Sequence, residues 1–184
     1  MNNFLNLVTS NEDKLREFQN ILGSHFSIHQ INIDLPELQS NSIEYVATQK
    51  CLVAFNQIKE SVIIEDTSLG FASMGGLPGP YVKWFMKKIG PEGLFKMLSG
   101  FENSLATASC IIAYMNKNLK SPVLFTGRID GNIVFPKGNT NFGWDCIFQP
   151  LGYELTFAEL SDNEKNKISH RKKAIDTMMS YFGL

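Results

Sequence analysis

The chain has 184 residues, about the length of one domain, and is long enough to bury a core without staples. A composition of 43% hydrophobic, 19% charged and 11% aromatic residues excludes a disordered tail, a collagen-like repeat and a coiled coil. With 17 basic and 18 acidic residues the net charge is −1, so no global field marks a nucleic-acid or membrane partner, and an anionic ligand must be held by a local group of Lys and Arg. Residues 4 to 8, FLNLV, read as a short apolar strand, and a helical pattern of Leu15, Phe18 and Leu22 follows, capped by Ser10 or Asn11 and stopped at Gly23. His25 to Ile31 alternates as a half-buried strand until Pro36 breaks the pattern. The clearest helix runs from Ile43 through Val46, Ala47, Cys51, Ala54 and Phe55 to Ile58.

Val62 to Ile64 is an apolar run expected to end as a buried strand at Glu65 and Asp66. MGGLPGP at 74 to 80 is a turn-rich loop, and Tyr81 to Lys88 and Pro91 to Leu98 read as short helices, the second with Pro at its first position. The period then changes from 3.6 to 2. Leu105 to Met115, Pro122 to Ile129 and Asn132 to Phe135 are expected strands, the last two joined by an Asp130-Gly131 hairpin. KGNTNFGWD at 137 to 145 is a second irregular loop and CIF a short strand. Ser161 and Glu164 form a capping-box pattern, and a last helix carries Ala174, Ile175, Met178, Met179 and Phe182. Alternating strands and helices followed by an antiparallel meander give an α/β class with a mixed sheet, without repeats or linkers.

Several side chains interrupt these patterns. Thr9-Ser10-Asn11 lies at a strand-to-helix junction, where free N–H groups favour an anion, and Lys14 lies one turn in; an ordinary N-cap complemented by Glu12 and Asp13 explains the same residues. Lys50 stands on the apolar stripe of its helix, where it either snorkels or reaches a ligand in a cleft. Arg171 repeats this on the last helix, where a charge needs a partner. Glu65-Asp66 offers hard oxygen at a strand end, with Glu37 of the DLPEL loop as a second ligand suited to Mg²⁺, or they are two solvated acids. Phe142-Gly143-Trp144-Asp145 could stack a planar base or cap a core, and Ser169-His170-Arg171 opens a helix with two side chains able to donate to base edges. His25 and His29 have zinc-pair spacing for a helix but lie in a strand pattern, which removes that reading. Cys51, Cys110 and Cys146 are an odd count without C-x-x-C. The first residues lack a signal-peptide pattern and no stretch suits a membrane span, so the expectation is a cytoplasmic protein.

Six segments in order, TSNEDKLREF at 9, IDLPELQ at 33, EDTSLGF at 65, GGLPGPYVKWF at 75, FGWD at 142 and EKNKISHR at 164, closely resemble the inosine triphosphate pyrophosphatases of eukaryotic type, across nearly the whole of residues 1 to 184. The resemblance implies an elongated two-lobed fold with a cleft and a homodimer. It implies Mg²⁺-dependent hydrolysis, with Mn²⁺ as a substitute, of the 6-oxo purine triphosphates ITP, dITP and XTP to monophosphate and pyrophosphate, cleansing the nucleotide pool. Carried onto this sequence, Thr9, Ser10, Asn11, Glu12, Asp13 and Lys14, with Lys50, Thr67 and Lys83, would hold phosphates, and Glu37 and Asp66 the metal. Phe142, Gly143, Trp144, Asp145, Lys165, His170 and Arg171 would form the base and sugar site, with Arg171 reading O6. Asp66 would orient or deprotonate the attacking water while Lys14 and Lys50 offset charge on the leaving group. Ser10 in place of a common glycine, acidic Glu12-Asp13, and Cys146 in place of a usual proline depart from the family pattern without removing an assigned residue. The competing readings are a triphosphate pyrophosphatase with another base preference, a nucleotide sensor without turnover, and an RNA-binding module, for which the basic stripe is lacking.

Overall fold

The structure, a computed structural model, describes residues 4–23, 25–33, 35–36, 38–139 and 142–184. Among these residues seven strands form one mixed sheet: β1 (Phe4–Val8), β2 (Ser27–Ile31), β3 (Val62–Phe71), β4 (Pro78–Gly79), β5 (Leu105–Met115), β6 (Val123–Ile133) and β7 (Phe148–Pro150). The order is β2-β1-β3-β5-β6-β7, with β4 paired to β3. β1 is parallel to β2 and β3, while β5, β6 and β7 add antiparallel neighbours. This is the α/β mixed sheet that the sequence pattern implies. Among the described residues no helix is long and apolar enough to cross a membrane.

Helix α1 (Glu12–Leu22) and helix α5 (His170–Tyr181) cover one face of the sheet, burying Phe18, Leu22, Ala174, Ile175 and Met178 against Ile63, Cys110 and Ile112. Helix α2 (Ile43–Ile58) covers the other, packing Ile43, Ala47, Cys51 and Ala54 on Val62, Ile64, Ile111 and Ala113. The two sets of β3 and β5 residues alternate, as the two-residue period of a strand requires. A third cluster, around Leu69, Phe71, Leu94 and Phe148, lies at the far end of β3 and includes helix α3 (Val82–Lys96). The two expected short helices are the two halves of α3, joined where Gly90 leaves helical geometry at φ 66° just before Pro91. Helix α4 (Asp162–Ile168) opens with the Ser161–Glu164 capping box in both directions.

Three expectations change. Strand β3 does not stop at Glu65-Asp66: β5 pairs with it from Val62↔Met115 to Phe71↔Ala106, so both carboxylates sit mid-strand. Asp130-Gly131 is not a hairpin but lies inside β6, opposite Thr107 and Ala106, where the ladder to β5 overrides the local turn signal. Gly131 serves close packing instead, since a Cβ there would come within 2.6 Å of the Phe148 ring. The CIF strand begins later, at Phe148, because Asp145–Ile147 forms a 3₁₀ turn.

On one edge of β3, β1 pairs at Val62 and Ile63 and β4 pairs at Leu69 and Gly70. The residues between, Ile64 to Ser68, face neither strand, and that gap opens the cleft. Opposite, α5 lies directly on β6, since a Cβ on Gly127 would run into the His170 carbonyl and the Ala174 amide. Gly127→Ala is expected to destabilise the fold by about 2 kcal/mol through forced separation of helix and strand. A urea midpoint equal to that of the native chain would contradict this packing.

Candidate active site

The β1–α1 turn closes on itself before it meets a ligand. The Asn11 side chain accepts from the Lys14 N–H at 2.9 Å, and Thr9 Oγ1 accepts from the Asn11 N–H at 3.1 Å. Glu12 accepts from Gln30 Nε2 at 3.0 Å and Asp13 pairs with Arg16 at 2.7 Å, so both are engaged away from the cleft. Lys14 extends from the first turn of α1 to Glu65, with Nζ 2.6 Å from Oε2. The inward Lys50 of α2 places its Nζ 2.9 Å from Asp66 Oδ1. Strand alternation divides the two acids: Glu65 faces α1 and α5, and Asp66 faces α2.

Ser169 ends α4 and caps α5, accepting from the Lys172 N–H at 3.1 Å. That abrupt turn sends His170 and Arg171 into the interior, each only 2% exposed. Arg171 Nη1 bonds Glu17 and Nη2 bonds Glu65 at 3.1 Å. Lys165 Nζ bonds Glu17 at 2.6 Å and also Asp145. Phe142 lies over both cations, 4.3 Å from Lys165 Nζ and 5.7 Å from the guanidinium carbon. Trp144 is buried with Phe148 and Phe157 and lies 5.3 Å from the His170 ring, so it is part of the core as well as of the cleft wall.

Burial alone would raise both Glu17 and Glu65, but Arg171 with Lys165, and Arg171 with Lys14, outweigh it and hold both carboxyls below their usual range. Asp66 is raised, because burial exceeds the help from Lys50. Asp145 is pushed up to about 6, again by burial ahead of Lys165. Burial, then Arg171 and Lys165, push His170 well below its usual value, which leaves a neutral imidazole.

A cavity of about 430 Å³ brings together Thr9, Ser10, Asn11, Lys14, Lys50, Asp66, Thr67, Lys83, Phe142, Gly143, Trp144, Asp145, His170 and Arg171. Of the expected site residues, Glu12 and Asp13 do not line it, and Lys165 lies behind its wall as a partner of Asp145. Glu37 lies outside the described residues. The cavity also includes Glu65, which the sequence offered with Asp66 as a hard-oxygen ligand, and Gln39 and Lys87, while Glu17 stands behind Arg171; the last three carry no assignment from sequence. Glu17 stands two, one and five residues from Leu15, Phe18 and Leu22, off the apolar stripe, so the rule that singled out Lys50 would not have found it.

Three buried atoms at this cavity have neither a hydrogen-bond nor an ion-pair partner among the described residues: Asp66 Oδ2, His170 Nδ1 and Arg171 Nε. Among the described residues no group of three His, Cys, Asp or Glu could enclose a metal ion. Mg²⁺ needs no such cage, because one or two carboxylates plus substrate phosphates and water complete its shell. Asp66 Oδ2, a hard anionic oxygen without a partner, fits that demand.

Removing the shared carboxylate leaves Lys165 and Arg171 buried with less compensation, so Glu17→Ala is expected to cost about 3 kcal/mol in a denaturant titration. Glu17 and Glu65 have folded values below the ordinary 4.5, so their stabilisation is complete above that pH and is lost as pH falls below it. Stability measured from pH 5 to pH 3, roughly that titration window, should fall less steeply in Glu17→Gln than in the native chain; parallel curves would contradict the assignment.

The Ham1 family model matches residues 5–181. Two relatives from Trypanosoma cruzi (strain CL Brener), inosine triphosphate pyrophosphatase 1 and inosine triphosphate pyrophosphatase 2, are 46% and 45% identical over 188 residues, covering 100% of this chain and 94% of each relative. The solved structure of a HAM1 protein from Coxiella burnetii matches with a TM-score of 0.84 at 27% identity, over 98% of both chains.

Proposed function

The chain belongs to the Ham1 family, and from that premise we propose that it hydrolyses 6-oxo purine nucleoside triphosphates such as ITP, dITP and XTP to the monophosphate and pyrophosphate. The names of the Trypanosoma cruzi relatives support ITP as substrate. The observation that carries the base preference is the unpartnered Arg171 Nε, a buried group that can only donate, in the same cavity as the unpartnered Asp66 oxygen. A 6-keto oxygen satisfies that donor, whereas the adenine 6-amino group would leave it unpaired. Neutral His170 adds a second unsatisfied nitrogen beside it.

In this reading Phe142 stacks on the base, and Lys14, Lys50, Thr67 and Lys83 receive the phosphates. Asp66 Oδ2, with Glu37, would hold Mg²⁺, or Mn²⁺ in its place, which when bound supplies charge neutralisation and Lewis acidity at the phosphates. Asp66 also orients the attacking water and takes its proton as the new bond to the α-phosphorus forms. The α–β bridging P–O bond breaks, and the pyrophosphate leaves with its charge offset by Lys14 and Lys50. No covalent enzyme intermediate is required. A homodimer and a cytoplasmic location belong to the same proposal.

Purified protein incubated with Mg²⁺ and ITP should yield IMP and pyrophosphate, with ATP nearly untouched. Asp66→Asn should lose at least about a hundredfold in kcat while remaining folded. Diphosphate plus phosphate as products, or tight ITP binding without turnover, would overturn the proposal.

A further inference from the structure

The charges of the cleft divide into two groups. Behind and along one wall, Lys14, Lys50, Lys165 and Arg171 are matched one for one by Glu17, Glu65, Asp66 and Asp145. That network is close to neutral as a unit, so it can orient a polyanion but offers it little excess attraction. The first half of α3 also lines this cavity and places Lys83, Trp84 and Lys87 on it. Lys87 is exposed, its Nζ lies 5.3 Å from the Trp84 ring centre, and no carboxylate among the described residues pairs with it.

We infer that Lys87 is a further substrate-binding residue: it rests on Trp84 in the free protein and moves to the terminal phosphates of the triphosphate, the part that leaves as pyrophosphate. This rests on the function proposed above and extends it to a residue of the cavity outside the neutral network. An ammonium over an indole face is held by a weak, non-directional attraction at an exposed site. A phosphate oxygen offers a charge-assisted hydrogen bond, so exchange of partners on binding favours the anion. The flexible four-carbon stem allows that movement without rearranging α3. Since the monophosphate retains only the α-phosphate, the contact with Lys87 would distinguish triphosphate and pyrophosphate from the monophosphate.

Lys87→Met removes the charge and keeps the stem over Trp84 at an exposed position, so the fold is not at risk. In the full chain, KM for ITP should rise about fivefold with kcat within about twofold, the pattern of binding lost equally from ground and transition states. The dissociation constant for inorganic pyrophosphate, read by calorimetry, should weaken by a similar factor, its dependence on salt should flatten, and IMP affinity should stay unchanged. Lys87→Arg should restore both constants. Native values of KM and pyrophosphate affinity in Lys87→Met would overturn the inference while leaving the proposed hydrolysis standing. A native chain that binds pyrophosphate through Lys87 but does not cleave ITP would support the site and sink the hydrolysis.

Discussion

One buried guanidinium organises this cleft. Arg171 is 2% exposed, and taking its charge out of water is tolerable only because Glu17 of α1 and Glu65 of β3 each occupy one of its terminal nitrogens. Glu17 in turn holds Lys165, and Lys165 holds Asp145, so α1, β3, the 3₁₀ turn, α4 and α5 meet in a single chain of ion pairs. Buried pairs of this kind add little net stability compared with apolar packing, but breaking one partner is costly. What they contribute here is geometry: with both Nη atoms bonded to carboxylates, Nε is the guanidinium nitrogen without a partner among the described residues.

The sheet explains why such a network forms at this place. β3 has no strand beside Ile64 to Ser68 on one edge, so Glu65 and Asp66 stand at an opening although they lie mid-strand. Alternation hands Glu65 to the cations of α1 and α5 and Asp66 to Lys50 of α2. The base end and the phosphate end of the proposed site are therefore adjacent residues of one strand. A substrate spanning both would bridge the two helical layers across the sheet's open edge.

Much of this was legible from residue patterns. The 3.6-residue stripe of α2 located the helix, and the single lysine on it marked a side chain facing inward, whose partner Asp66 only the structure supplies; Arg171 in the stripe of α5 was visible for the same reason. The boundaries that failed were those decided by partners distant in sequence. Glu65 looks like a strand terminus because charge usually ends a buried run, yet Arg171, 106 residues away, permits the strand to continue. Asp130-Gly131 carries a strong local turn signal, but pairing with β5 on one side and close contact from β7 on the other settle its conformation. Glu17 was passed over because a glutamate in an amphipathic helix is ordinarily solvated; its burial depends on Lys165 and Arg171, more than a hundred residues on.

If a donor fixed by two carboxylates reads the 6-position of the base, a change in the substrate reveals it without disturbing the buried network. The kcat/KM of the native chain for ITP should be compared with that for the same triphosphate carrying hydrogen in place of the 6-oxygen. Recognition through the 6-oxygen predicts a loss of roughly a thousandfold or more, because the buried donor then goes unpaired. Equal values for the two substrates would contradict it.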